Sequence, residues 1–286
     1  MLYDTIRDGA DPGATMGADF TASLTEAALN PKGKYLDHFL LSLNGTVGTA
    51  AVVIETFAGL LIPFTFKVGS ETRIQLRARD LVALMTFFYN RTPQIWENTD
   101  ATGSDFIMGI KIPIQEVIDA AQSYTYAATR VAQTNISVET LALTAVYYDD
   151  AKGRKPIVAV ELPYTTAAAT GYTQLGVELP PIGKMIGLLV FQTIGPSDGL
   201  FVSSIQRFQL QENGQNTSKA PASILATLGS GIFDGTLSPL ADMLKYYNAI
   251  DFRDEPIDLK AKKVTFSVDV EDASDATRFI AIIEKE

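Results

Sequence analysis

The sequence contains no cysteine, one histidine and one tryptophan in 286 residues. The first absence excludes disulfides, thiolate metal sites and a cysteine nucleophile, and with them thiol redox chemistry. The second leaves His38 as the sole imidazole, which rules out a zinc site built on several histidines. His38 lies inside an apolar run, where a packed histidine fits better than a catalytic base, and no Ser-His-Asp set can be assembled on it. Positive charge is scarce too: 23 Lys and Arg against 33 Asp and Glu give a net charge of -10. No Lys/Arg cluster supplies the basic stripe that counterion release from nucleic acid requires, so direct nucleic-acid binding is not expected. A P-loop is absent, and Gly229-Ser230-Gly231 followed by Gly235 misses the dinucleotide-binding spacing and reads as a loop. A clean membrane-spanning run is missing as well. Residues 49–66 come nearest, but Glu55 near their centre would cost about 2.5–3.5 kcal/mol in a bilayer, and Gly59 and Pro63 interrupt the end. Val52, Val53, Ile54, Phe57, Phe64 and Phe66 there have the character of buried strands. Met1-Leu2-Tyr3-Asp4 has neither the basic segment nor the apolar core of a secretory signal, so synthesis in a cytoplasm is expected.

What is present is apolar. Hydrophobic residues make up 47% of the chain and charged ones 20%, and the mean hydropathy is +0.12. Such a chain fills a large core and has apolar surface left for partners. Its length is about twice the 100–150 residues that one core organises, which predicts two domains.

Residues 1–32 are rich in Gly, Ala, Asp and Thr and read as an N-terminal arm. Within it Ser23-Leu24-Thr25-Glu26 is a capping box and Asn30-Pro31 a stop, which together predict a short helix. From Tyr35 strands dominate. Residues 36–43 form a strand ending at Asn44-Gly45, a hairpin signal. Arg73-Ile74-Gln75-Leu76-Arg77 alternates as a strand, and Asp80 caps a helix whose Leu81, Leu84, Met85 and Phe88 share a face, with Pro93 just past its end. Phe106, Met108, Ile110, Ile112 and Ile114 alternate, as do Leu141, Leu143, Ala145 and Tyr147, while residues 116–133 between them read as a loop or short helix. The polar stretch 149–156, ending in Pro156, reads as a connection between domains. Strands follow over 157–162, 172–179 and 188–191, with a turn at Gly195-Pro196.

The two sides of that connection are written to one plan. Gly33-Lys34-Tyr35-Leu36 matches Gly183-Lys184-Met185-Ile186, and Arg73-Ile74-Gln75-Leu76 matches Arg207-Phe208-Gln209-Leu210. The strand at 106–114 matches Val264, Phe266, Val268 and Val270, and the closing strand at 141–148 matches 278–284. Four elements in one order point to an internal duplication. A helix opened by Ser238-Pro239 is an insertion in the second half. The expected fold is therefore all-β: two tandem eight-stranded antiparallel sandwiches with short inserted helices, over 33–150 and 151–286.

Candidate sites are few. Glu161 and Glu178, on neighbouring predicted strands, offer the two carboxylates of a glycosidase, but their positions suit a solvent face, and Trp96 is the only tryptophan to stack on a sugar. Asp269, Glu271, Asp272 and Asp275 make an acidic turn lacking the Asp-x-Asp-x-Asp-Gly spacing of a calcium loop, which reads as solvated. The sequons at Asn44, Asn90, Asn135 and Asn216 mark no site. The sequence supplies no catalytic, cofactor or metal residues, and no enzyme is expected.

The layout, carried by Arg73-Ile74-Gln75-Leu76-Arg77-Ala78-Arg79-Asp80-Leu81-Val82-Ala83-Leu84 and the region at 207–228, resembles the double jelly-roll major capsid proteins of tailless, membrane-containing icosahedral bacteriophages. The resemblance is one of architecture and spans most of residues 33–286. It implies two jelly rolls per chain and a pseudo-hexagonal homotrimer tiling an icosahedral virion shell over an internal membrane. Its implied partners are neighbouring trimers, penton proteins and minor capsid or membrane proteins. Residues 1–32 would then make contacts beneath the shell, with a neighbour or, indirectly, with lipid, and removing residues 1–30 is expected to impair shell formation while leaving both sandwiches folded. The competing reading is a soluble carbohydrate-binding or adhesive β-sandwich protein.

Overall fold

The computed structural model describes residues 2–7, 27–31, 33–47, 61–91, 94–97, 105–130, 136–151, 153–162, 171–192, 205–221, 247–261, 263–270 and 277–286. These are mostly β, with one helix among the described residues. They fall into two compact units that divide between Ile157 and Val158.

The first unit contains β1 (Leu2–Arg7), β2 (Ala27–Ala28), β3 (Tyr35–Val47), β4 (Leu61–Val68), β5 (Glu71–Leu76), helix α1 (Ala78–Tyr89), β6 (Gln94–Glu97), β7 (Asp105–Val117), β8 (Tyr124–Arg130) and β9 (Ile136–Tyr148). One sheet runs β1-β9-β3-β7-β6, and a second row runs β2-β8-β4-β5. Side chains alternate across a strand, so β3 turns Phe39 and Leu41 into the core and Leu40 outward. Phe39 meets Phe64 and Phe66 of β4 edge-on, with ring centroids 5.8 and 5.3 Å apart. The core of this unit therefore lies between its two layers.

The second unit contains β10 (Ile157–Glu161), β11 (Gly171–Glu178), β12 (Gly183–Gln192), β13 (Ile205–Glu212), β14 (Gln215–Pro221), β15 (Tyr247–Asp251), β16 (Ile257–Asp258), β17 (Val264–Val270) and β18 (Thr277–Lys285). One row runs β10-β18-β12-β15, with β16 also pairing with β12, and the other runs β11-β17-β13-β14. Leu188, Val190, Phe279, Ala281 and Ile283 belong to its own apolar cluster.

Set side by side, the rows have one wiring. Exchanging β1, β9, β3 and β7 for β10, β18, β12 and β15 turns the first row of one unit into that of the other, and β2, β8, β4 and β5 likewise become β11, β17, β13 and β14. Two of the four sequence matches agree with this, β3 with β12 and β9 with β18. The other two are corrected: β5 corresponds to β14 and not to the strand at 207–210, and β7 corresponds to β15 and not to the strand at 264–270. Short alternating strands look alike in sequence, and only pairing partners tell them apart. The local detail of β3 and β12 also agrees. Each is bulged against its closing strand, between Leu36 and His38 on β9 and between Met185 and Gly187 on β18.

Four local expectations are revised. Residues 1–32 supply strands: β1 pairs with β9, and β2 pairs with Tyr126 and Thr125 of β8. Ala27 and Ala28 are thus in a strand where a short helix was expected, because a capping box is a purely local signal and the edge of β8 is a competing partner; residues 23–26 lie outside the described residues. Asn44-Gly45 makes no hairpin turn. Asn44 pairs with Ile107 and Thr140, and Gly45 with Phe106 and Glu139, so β3 runs on as a central strand. The stretch 116–133 holds β8, whose buried Tyr124 and Tyr126 flank a half-buried Thr125. Finally, Asp80 is not the first cap of α1: the helix starts after Arg77, and Asp80 accepts the Arg77 backbone N–H at 3.2 Å from the third helical position. The expected strands over 49–60, the turn at Gly195-Pro196 and the helix opened by Ser238-Pro239 lie outside the described residues.

Helix α1 has a further task at the edge of β7. Hydrogen-bonding direction alternates along a strand, so Gly109, Lys111 and Pro113 present the same edge. Gly109 pairs with Gln94 of β6, the Lys111 N–H donates to Met85 Sδ of α1 at 3.2 Å, and Pro113 has no N–H to satisfy. The edge that β6 leaves uncovered is thereby closed to further strands.

Candidate functional site

A cluster of buried polar groups in the first unit gathers at the bulge of β3. A bulge adds a residue to one strand and re-aims its side chain. Here the added residue is Asp37, 2% exposed, and its neighbour His38 is 5% exposed. His38 Nδ1 lies 2.6 Å from Asp37 Oδ2, and Arg154 Nη1 donates to Asp37 Oδ1. An ionised carboxylate only accepts, so His38 carries its hydrogen on Nδ1. Lys111 of β7 places its ammonium 4.1 Å from the centre of the Tyr89 ring at the end of α1, a cation–π contact.

Burial alone would raise the Asp37 carboxyl. The hydrogen bond and charge of His38, followed by Arg154 and Lys111, outweigh that and hold it below the usual carboxylate range. Burial pushes His38 down against the opposing bond to Asp37, so the ring is neutral at pH 7. Burial also lowers Lys111. It raises the Tyr35 and Tyr89 hydroxyls, with the Asp37 charge adding to both.

A second buried pair spans the two layers. Arg73 of β5 and Glu116 of β7 are 4% and 7% exposed. Arg73 Nε donates to Glu116 Oε2 at 3.0 Å, and Arg73 Nη1 stands 2.5 Å from Glu71 Oε1. Neighbouring Gln115 takes a left-handed φ of 56°, irregular backbone that ends the regular run of β7 beside the bulge of β3. Both clusters hold strands, the helix end and the chain at 154 to one another, and neither presents an exposed nucleophile or base to a substrate.

The carboxylates weighed for a glycosidase do not come together by strand pairing. Glu161 ends β10, in the row with β18, is exposed, and has Arg278 Nη1 3.4 Å away; Glu178 ends β11 in the other sheet, opposite Thr265. Asp269 lies in β17 opposite Tyr172 and Arg207, while Glu271, Asp272 and Asp275 are outside the described residues. Among the described residues no group of three or more His, Cys, Asp or Glu is arranged to hold a metal ion. Asn90 closes α1 in the left-handed conformation, Asn44 and Asn216 lie in strands, Trp96 lies in β6, and Asn135 and the glycines at 229–235 fall outside the described residues. Sequence reasoning missed Asp37, Arg73, Glu116 and Arg154. A charged residue breaking an apolar strand, as Asp37 does, was the available signal for the first.

No family model and no curated protein matches the sequence. Solved structures do. The major capsid protein of Sulfolobus turreted icosahedral virus superposes with a TM-score of 0.67 at 14% identity, over 99% of this chain and 95% of that one. VP54 of the virus PBCV-1 gives 0.61 at 10% identity over 99% and 93%, and the major capsid protein of bacteriophage PM2 gives 0.55 at 8% over 98% and 95%. With both units included in each superposition, the chain has the fold of viral major capsid proteins.

Proposed function

We propose that this chain is a major capsid protein built of two tandem eight-stranded jelly rolls, β1 to β9 without the short β6, and β10 to β18 without the short β16. Two rows of four strands, each interleaving early and late strands, are the wiring of a jelly roll. The observation that carries the reading is that likeness to capsid proteins runs through 98–99% of the chain, so that both units are matched and not one sandwich alone. Its role is structural. Copies associate as a pseudo-hexagonal trimer, six rolls in a ring, and trimers tile an icosahedral shell over an internal membrane in the virion. A two-unit chain suits this arrangement because a trimer of such chains fills six positions and keeps two unlike edges for neighbours. Further partners are penton proteins and minor capsid or membrane proteins. Indirect lipid contact through residues 1–32 belongs to the same reading.

The test is the solution mass of the recombinant chain by sedimentation, with negative-stain images of the product. The expected result is three times the 30.9 kDa chain mass, or larger, with a hexagonal outline. A monomer at every concentration that instead binds immobilised glycans would replace this reading with the carbohydrate-binding one.

A further inference from the structure

The polar stretch around residues 149–156 has the composition of a loose linker, yet two independent features hold it. Ala151 to Arg154 is a closed turn, with the Arg154 backbone N–H donating to the Ala151 carbonyl at 3.0 Å and Gly153 in the left-handed region at φ 75°. Type II turns need such a φ at their third position, and glycine supplies it without strain. The turn then delivers the Arg154 guanidinium to Asp37, whose side chain is 3% exposed while that of Arg154 is 50% exposed. The asymmetry matters. A buried carboxylate without its partner is costly, whereas the half-exposed arginine would be at ease in water. It is therefore Asp37 that requires the contact, and the segment that is drawn to it.

We infer that residues 149–156 are a fastened strap and not a free linker, with Asp37, set in the bulge of β3, as its anchor. The groups facing Asp37 are His38 and Tyr35 on its own strand, Lys111 on β7, Tyr89 at the end of α1 and Arg154 on the strap; of these Arg154 alone belongs to the connecting segment. The chain thus leaves the first unit from a set position. This inference stands on the first unit by itself and does not depend on the capsid reading.

Hydrogen–deuterium exchange of the full chain tests it, comparing the peptide over 149–156 with peptides from β3 and β9 in the wild type and in D37N, R154M and R154K. In D37N and R154M the strap should exchange about tenfold faster or more, as loss of a hydrogen bond to a charged group implies, with β3 and β9 still protected. R154K should fall between, because it keeps a cation without the guanidinium fork. Unchanged exchange over 149–156 in folded R154M overturns the inference, and so does loss of protection throughout β3 and β9, which would make the pair an inseparable part of the core. Should D37N fail to fold, R154M decides, since its arginine is half exposed.

Discussion

Asp37 and His38 show how one residue's ionisation is set by burial and neighbours together, and they give the unit a pH dependence of definite sign. Both groups titrate lower in the folded protein than in the unfolded chain. Between the folded and unfolded values the unfolded chain binds more protons, so stability rises with pH. The His38 contribution is complete above its ordinary value of 6.5 and shrinks as pH falls below it; that of Asp37 is complete above 3.8 and is lost as pH drops through its lower folded value. Urea unfolding measured from pH 7.5 downward should show stability beginning to fall near pH 6.5, and His38→Asn, which keeps a donor close to the position of Nδ1, should flatten that first decline while leaving the more acidic one. An unaltered profile in the variant would remove His38 from the account. The Arg73–Glu116 pair makes a different prediction. Arg73→Met takes the guanidinium from a buried carboxylate and should cost about 3 kcal/mol, whereas Arg73→Met combined with Glu116→Leu should recover most of the loss, because replacing a whole buried pair with apolar groups is often neutral. Urea midpoints of the three proteins would measure this. Asp37 and His38 are adjacent, but the other partners are far apart in sequence: Arg73 and Glu116 are separated by 43 positions, and Asp37 and Arg154 by 117. The charge types were visible in the sequence, and their pairing was not.

Strands and helix were legible to different degrees. Helix α1 and strands β3, β5, β7 and β9 follow from periodicity, although α1 is buried beyond the expected face: Val82, Ala83 and Phe87 are buried with Leu81 and Leu84, while Met85 and Phe88 are half-buried. The failures came where local signals met long-range pairing. Asn44-Gly45 has turn chemistry but sits between β7 and β9, whose ladders satisfy its backbone on both sides. Segment Leu2–Arg7 looked like part of an arm and pairs with β9 from Tyr147 to Leu143. Deleting residues 2–7 should therefore do more than impair assembly: it leaves β9 as an unpaired edge, and both a lower melting temperature and concentration-dependent light scattering are expected. A truncated chain that melts like the wild type and stays clear would return the segment to the role of an arm. Glycine at the start of the two matched strands has a similar long-range cause. A Cβ on Gly183 would stand 2.0 Å from the Glu284 carbonyl oxygen, and one on Gly33 would stand 2.6 Å from Tyr147 Cβ. Gly183→Ala should then cost on the order of 1–3 kcal/mol by forcing β12 from β18, read as a shift in the urea midpoint.

At the scale of the whole molecule, charge governs how copies meet. A chain carrying -10 repels its own copies, and that repulsion is screened as the Debye length shrinks from about 30 Å at 0.01 M salt to about 8 Å at 0.15 M. Association of the purified chain should strengthen over this range in static light scattering, and association that weakened instead would point to ion pairs as the main contacts between copies. The β class, the high apolar content and the presence of two similar halves were all decided by the sequence alone, since composition and periodicity report directly on what a chain can bury. Which strand of one half answers to which strand of the other, the entry of β1 and β2 into the first unit, and the joining of Asp37 to Arg154 were decided only by the tertiary structure. The physical reason is shared: strand pairing and the burial of charge depend on partners brought together across long stretches of chain, and a short alternating segment carries its face but not its neighbour.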